Sequence, residues 1–164
     1  MGGLVFAAPA SGSGKITVTL GFLRAAARQG LPIRSAKSGP DYIDPRFHAI
    51  ASGQECVNLD AWAMTPDRLR TLAAHSPVET LLIEGAMGLF DGAPPDGKGS
   101  SADLACLLGL PVVLIIDCAR MAGSVAAIAH GFTTLDPKVQ VAGVILNNIG
   151  SPRHEEMLRR ALRD

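Results

Sequence analysis

The chain has 164 residues and 17.0 kDa, with fifteen Lys and Arg balanced by fifteen Asp and Glu, 48% hydrophobic residues and only 18% charged ones. That length makes one domain with a core that needs no disulfide or metal staple, and the hydrophobic content excludes disorder. The absence of a basic excess argues against nucleic acid or an anionic membrane as partner, and charge below the usual ~25% points to a surface partly covered by a partner domain or by a second copy in a homodimer.

Leu4–Ala8 predicts a short apolar strand. From Lys15 to Gln29 the apolar residues Val18, Leu20, Phe22, Leu23 and Ala26 keep helical spacing, and Gly30 is placed to end the helix. Pro32–Ala36 reads as a second strand, Pro45–Ser52 and Pro66–Ala74 as helices, and Thr80–Ile83 as a third strand. Ser101–Leu108 is a predicted helix. Val112–Ile116 is an apolar, β-branched run of the kind buried on both faces of a parallel sheet. Met121–Phe132 reads as a helix, Val139–Leu146 as a strand and Pro152–Leu162 as an amphipathic helix. The alternation predicts a single doubly wound, mainly parallel α/β domain over residues 1–164, with Asp91–Ser101 as its one long loop. The longest apolar stretch, Cys106–Ile116, is interrupted by Gly109 and Pro111 and is too short to span a membrane, which takes ~20 residues. Cys56, Cys106 and Cys118 are scattered and form no CxxC pair, as expected of reduced thiols in a cytoplasmic protein.

Between the first strand and the first helix lies Pro9-Ala10-Ser11-Gly12-Ser13-Gly14-Lys15-Ile16-Thr17. This nearly fits the phosphate-loop pattern G-x-x-x-x-G-K-[ST] in its required strand–loop–helix setting. Glycines let backbone N–H groups approach phosphate oxygens, the helix N-terminus adds partial positive charge, and Lys15 reaches the β- and γ-phosphates. Ser11, Gly12, Ser13, Gly14, Lys15 and Thr17 are therefore candidate nucleotide-binding residues. Two departures stand out: Pro9 replaces the first glycine, and Ile16 replaces the hydroxyl that normally holds Mg²⁺. Thr17 points ~100° away on the helix and does not simply substitute for it.

Acidic residues follow at the ends of strands, the edge where open α/β sheets bind ligands. Asp41 and Asp44 sit in Gly39-Pro40-Asp41-Tyr42-Ile43-Asp44-Pro45; Glu84 ends the third strand, and Asp91 lies in the glycine-rich segment after it. Carboxylates gathered at one edge repel unless a cation neutralises them, and Mg²⁺ takes oxygen ligands shared with phosphates. Asp41, Asp44 and Glu84 are the candidate metal ligands. Asp44 alternatively caps the following helix; Asp117 is a further ligand or a turn residue. Asn147, at the end of the last strand, reads an adenine edge or makes a turn. His48, His75, His130 and His154 lack metal-ligand spacing and are expected at the surface or as satisfied core residues.

SGSGK, KSGPDYIDPRFHAIASG, NLDAWAM, LLIEGAMGLFDG, GSSADLACLLGLPVVLIIDC and GVILNNIGSPRHEEMLRRAL, in that order and nearly end to end, resemble the N-terminal synthetase domain of cobyrinate or hydrogenobyrinate a,c-diamide synthases. These belong to the dethiobiotin synthetase-like P-loop superfamily; GPDYIDP looks like the corrin enzymes rather than dethiobiotin synthetase. The resemblance implies a P-loop NTPase fold and an ATP- and Mg²⁺-dependent carbon–nitrogen ligase of cobalamin biosynthesis. ATP would phosphorylate a corrin side-chain carboxylate, and ammonia would convert the acyl phosphate to an amide, at the c and then the a position. The ammonia would come from glutamine, hydrolysed by a C-terminal glutaminase domain that this stretch of sequence lacks, so the chain is expected to be the N-terminal part of a longer one. By position, Lys15, Asp41, Asp44, Glu84 and Asp91 would serve phosphoryl transfer, and Tyr42 and Ile43 would lie near the corrin carboxylate. The family normally carries Thr at the position of Ile16. A dethiobiotin synthetase-like ligase and a catalytically impaired nucleotide-binding module are the alternatives.

Overall fold

The structure, a computed structural model, describes residues 2–74 and 80–163; His75 lies outside them. Among the described residues six strands and six helices alternate: β1 (Gly2–Ala7), α1 (Lys15–Arg28), β2 (Ile33–Ser38), α2 (Asp44–Ser52), β3 (Cys56–Leu59), α3 (Pro66–Ala74), β4 (Thr80–Glu84), α4 (Ser101–Leu108), β5 (Val112–Asp117), α5 (Ser124–Thr134), β6 (Val141–Asn147) and α6 (Pro152–Ala161). The strands form one sheet in the order β3-β2-β4-β1-β5-β6, every pairing parallel. This is the doubly wound α/β architecture that the alternation predicts.

Successive strand residues feed opposite cores, as the two-residue period of a strand requires. Val5, Leu81, Ile83, Leu114 and Ile116 pack on one face with Leu69 of α3, Leu104 of α4, Val125 of α5 and Leu158 of α6. Phe6, Leu82 and Ile115 pack on the other with Leu23 and Ala26 of α1. Burial on both faces explains why β4 and β5 read as unbroken apolar runs.

Beyond shifts of one or two residues at several other element ends, three differences from the sequence reading stand out. β3 went unpredicted: it has four residues, contains Asn58, and buries only Leu59 fully, so it shows no periodicity. β2 runs on to Ser38, with Arg34, Ser35, Lys37 and Ser38 all buried, a polar content that hides a central strand. α5 starts at Ser124 rather than Met121, because residues 118–123 turn the chain away from β5. Since every strand is parallel, the C-terminal ends of β1, β2, β4, β5 and β6 share one edge. There Lys37 is register partner of Glu84, and Asp117 of Asn147.

Candidate nucleotide-binding site

The loop from β1 to α1 is built from its own backbone. Gly12 and Gly14 both have positive φ, 80° and 89°, a region that side chains disfavour. Ser13 is buried and its Oγ donates to the Ala10 carbonyl at 2.9 Å. Asn147 comes up from β6 behind the loop, its Nδ2 donating to the Ser13 carbonyl at 3.0 Å. A Cβ on Gly14 would collide with that amide, so glycine is needed both for conformation and for space. The first turn of α1 holds no acidic residue, leaving its helix-end charge uncancelled.

Lys15 opens α1 and is buried, yet among the described residues its ammonium meets only neutral partners: Nζ donates to the Met87 carbonyl at 2.6 Å and to the Ala10 carbonyl at 3.3 Å. Burial lowers its pKa, and the nearby Lys37 lowers it further. A desolvated cation with no carboxylate bonded to it is suited to receive an anion. Met87 carries the carbonyl that Lys15 uses and holds φ 51°, a strained conformation for a side-chain-bearing residue. The turn around it is closed by Asp91, whose Oδ2 accepts from Gly88 N at 2.8 Å.

The facing wall is a charge network. Lys37 Nζ, on β2, sits 2.7 Å from Glu84 Oε1 and 2.8 Å from Asp44 Oδ2. Glu84 Oε2 lies 2.8 Å from His48 Nε2, and His48 Nδ1 lies 3.5 Å from Cys56 Sγ. Burial pushes the Lys37 pKa down, but Glu84 and Asp44 outweigh it and raise the pKa overall. In Glu84 burial acts upward, and His48 and Lys37 overcome it, holding the carboxyl below its usual range. Burial likewise opposes protonation of His48, but its bonds to Cys56 and Glu84 raise its pKa to about 9. At neutral pH the wall is therefore two cations against two carboxylates.

Between the two walls lies an open crevice of about 390 Å³, lined by Ser11, Gly12, Gly14, Lys15, Ile16, Lys37, Asp44, Glu84, Gly85 and Met87. Of the sequence-predicted residues it thus brings together Ser11, Gly12, Gly14, Lys15, Asp44 and Glu84. Ser13 and Asn147 support the loop from beneath. Thr17 is exposed on α1 outside the lining, while Ile16 faces the crevice with a side chain that offers no oxygen. Asp41 folds the turn before α2: its Oδ1 accepts from Ile43 N at 2.8 Å and Asp44 N at 3.1 Å, and these bonds hold its pKa down although burial acts upward. Asp44 is therefore not the cap of α2; it is the helix's first residue and turns to Lys37. Tyr42 and Ile43, 80% and 52% exposed, stand in the segment leading to Asp44. Asp117 is a turn residue, accepting from Ala119 N and Asn148 Nδ2 at 3.0 and 2.9 Å. Sequence reasoning gives Lys37 no role and expects His48 only at the surface or as a satisfied core residue; His48 is the latter, buried with both ring nitrogens partnered, four residues beyond Asp44 and so on the same face of α2.

Among the described residues no three His, Cys, Asp or Glu side chains are gathered to hold a metal ion. Asp44 and Glu84 suit Mg²⁺ in another way, as the one or two carboxylates that such an ion takes when it shares phosphate oxygens and keeps water ligands. The residues present fit an ion that arrives with a nucleotide, not a cage formed in advance.

The fold and its loop define the chain as a P-loop nucleotide-binding α/β protein of the NTPase type. The chain belongs to the CobQ/CobB/MinD/ParA nucleotide binding domain family, whose model matches residues 4–164. It is 58% identical to hydrogenobyrinate a,c-diamide synthase of Brucella ovis over 99% of this chain and 38% of that protein. The proteins of the same name from a Sinorhizobium species and from Mesorhizobium japonicum are 56% and 54% identical, over 99% and 94% of this chain. These cover 38% and 36% of the respective proteins, so the chain spans under two fifths of the length of these relatives. Among solved structures, chloroplast FtsY from Physcomitrella patens superposes with a TM-score of 0.59 at 16% identity, over 88% of this chain and 49% of that one, a likeness of fold. No helix among the described residues is long and apolar enough to cross a membrane.

Proposed function

We propose that this chain is the ATP-binding synthetase part of a cytoplasmic hydrogenobyrinate or cobyrinate a,c-diamide synthase of cobalamin biosynthesis. The observation that carries the proposal is the crevice, where a buried lysine bonded only to carbonyls faces two buried or half-buried carboxylates. The relatives named for that reaction supply the substrate class. A carboxylate resists ammonia because its leaving group would be oxide. Transfer of the γ-phosphoryl group to it gives an acyl phosphate; ammonia then attacks the carbonyl carbon, the C–O bond to phosphate breaks, and the amide and inorganic phosphate remain.

The chain's own residues do this mainly by placement and charge. The loop from Gly12 to Gly14 receives phosphate oxygens on its N–H groups, and Lys15 exchanges its carbonyl partners for a phosphate. Asp44 and Glu84 would hold Mg²⁺, which when bound neutralises charge on the transferring phosphoryl group. Asp41 and Asp91 serve the centre through the turns they close. Tyr42 and Ile43 offer apolar surface beside Asp44 to the corrin acid. Ammonia would be made from glutamine by a C-terminal glutaminase domain, as a partner in the same polypeptide.

The test supplies what such a domain would provide. The chain is incubated with hydrogenobyrinate, ATP, Mg²⁺ and an ammonium salt, and ADP and corrin mass are followed. Corrin-dependent ADP release with formation of the diamide is expected; ADP release indifferent to the corrin, or no ADP at all, contradicts the proposal. Ile16 favours a second reading, a module that binds nucleotide but turns it over poorly, because the residue lines the crevice without an oxygen. Under that reading the parent chain binds ATP without corrin-dependent ADP release; under the first it releases ADP with the corrin, and Ile16→Thr raises the rate. Carboxylation of diaminopelargonate would instead mark a dethiobiotin synthetase-like ligase.

A further inference from the structure

Glu84 is the innermost acid of the crevice, and both its oxygens are gripped. Lys37 takes Oε1 and is itself shared with Asp44, so its grip can be redistributed when charge enters the crevice. His48 takes Oε2 from a fully buried position in α2 and has one other side-chain partner, Cys56 at the start of β3. Asp44 and His48 lie four residues apart, so a single helix face presents one acid to the crevice and one imidazole to the back of the other acid. An apolar residue at 48 would fill the same space but leave Oε2 buried without a donor.

We propose that His48 is a positioning residue, holding Glu84 by Oε2 so that Oε1 stays on the crevice side, available to the divalent cation that accompanies the nucleotide, with Cys56 fixing the imidazole from behind. The inference rests on the nucleotide reading above and adds a residue to it. It concerns orientation of a carboxylate already present. A His48 that merely filled space would affect folding and leave cation affinity alone.

The experiment uses Mn²⁺ as the probe, its free concentration read by electron paramagnetic resonance in the presence of the chain and ATP. Thermal unfolding and ATP binding in EDTA are measured alongside. Gln at 48 can present an amide N–H where imidazole Nε2 stands, whereas Asn reaches only toward Cys56. His48→Asn is expected to weaken Mn²⁺ binding to the ATP complex by about 10–100-fold, the usual cost of removing a group that orients a metal ligand. His48→Gln should stay within about threefold of the parent chain on the same grounds. ATP affinity in EDTA should be the same in all. Unchanged Mn²⁺ affinity in His48→Asn, or an equal loss in His48→Gln, overturns the proposal while leaving nucleotide binding standing. Failure of the parent chain to bind ATP in EDTA or with Mn²⁺ overturns the nucleotide reading and this inference with it. If His48→Asn does not fold, Cys56→Ala decides: a weakened Mn²⁺ complex at an unchanged melting temperature supports the role, and an unaltered complex refutes it.

Discussion

The two walls of the crevice meet the problem of burying charge in opposite ways. The loop wall buries Lys15 against carbonyl oxygens alone, so its charge is left to an incoming anion. The β2–β4 wall buries Lys37 and His48 against Asp44 and Glu84, so its charges cancel within the protein. The contrast separates binding from stability. Removing a charge from the first wall should cost affinity for the nucleotide itself, and removing one from the second should cost folding as well as affinity for the cation.

The largest effect is expected from Glu84→Gln. It leaves Lys37 and His48 buried without their shared counter-charge, a defect that costs about 3–5 kcal/mol when a buried pair is broken. Urea unfolding measures it, and a loss under ~1 kcal/mol, the range of an exposed pair, would mean that the wall is not desolvated as described. The same network gives a pH dependence. His48 has a folded pKa of about 9 against an ordinary value of 6.5, so protonation favours the folded chain. That stabilisation is complete below pH 6.5 and is lost as pH rises through about 9. It amounts to about 3–4 kcal/mol at ~1.4 kcal/mol per pH unit, overlapping the Glu84 effect because it belongs to the same pair. Stability that stays flat from neutral pH to pH 10 in the chain without nucleotide would contradict the ion pair.

Lys15→Ala should act on the other wall. ATP affinity measured by calorimetry should fall at least about 100-fold, equivalent to ~2.7 kcal/mol, while urea stability changes less than in Glu84→Gln. A drop in stability with affinity intact would reverse the assignment of the two walls. The smallest effect is expected from Asn147→Ala, which removes the amide bonded to the Ser13 carbonyl. Loss of one such bond costs about 1 kcal/mol, and ATP binding should weaken by up to about tenfold as the loop loosens. Unchanged affinity would leave Asn147 no part in holding the loop.

The walls also differ in how far the sequence discloses them. The loop wall is local: Gly12, Gly14 and Lys15 lie within four positions, and their strand–loop–helix setting is readable from apolar spacing. The doubly wound fold is legible for the same reason, since most elements, β3 excepted, announce their own period. The opposite wall is assembled from residues far apart in sequence, Lys37 with Glu84 and Glu84 with His48. Their pairing depends on β2 lying beside β4, which the sequence does not state. Asp44 and Glu84 were visible as acids at strand ends, but not their partners. Lys37 sits in a strand whose polar residues conceal it, and His48 resembles any helix histidine until Glu84 is placed behind it. β3 was missed because it is short and at the edge, yet it supplies both Cys56 and Asn58. Asn58 ties down the Asp41 turn through bonds of 2.8 and 2.7 Å to the Gly39 and Asp41 carbonyls.

The central claim is that a triphosphate lies in the crevice between these walls. A crystal of the chain grown with a non-hydrolysable ATP analogue and Mg²⁺ tests it directly. The account predicts phosphate oxygens on the backbone of Gly12–Gly14, Lys15 Nζ moved from the Met87 carbonyl to phosphate, and the ion between phosphate and Asp44 or Glu84. An analogue bound elsewhere on the sheet, with Lys15 still on its carbonyls, would contradict it.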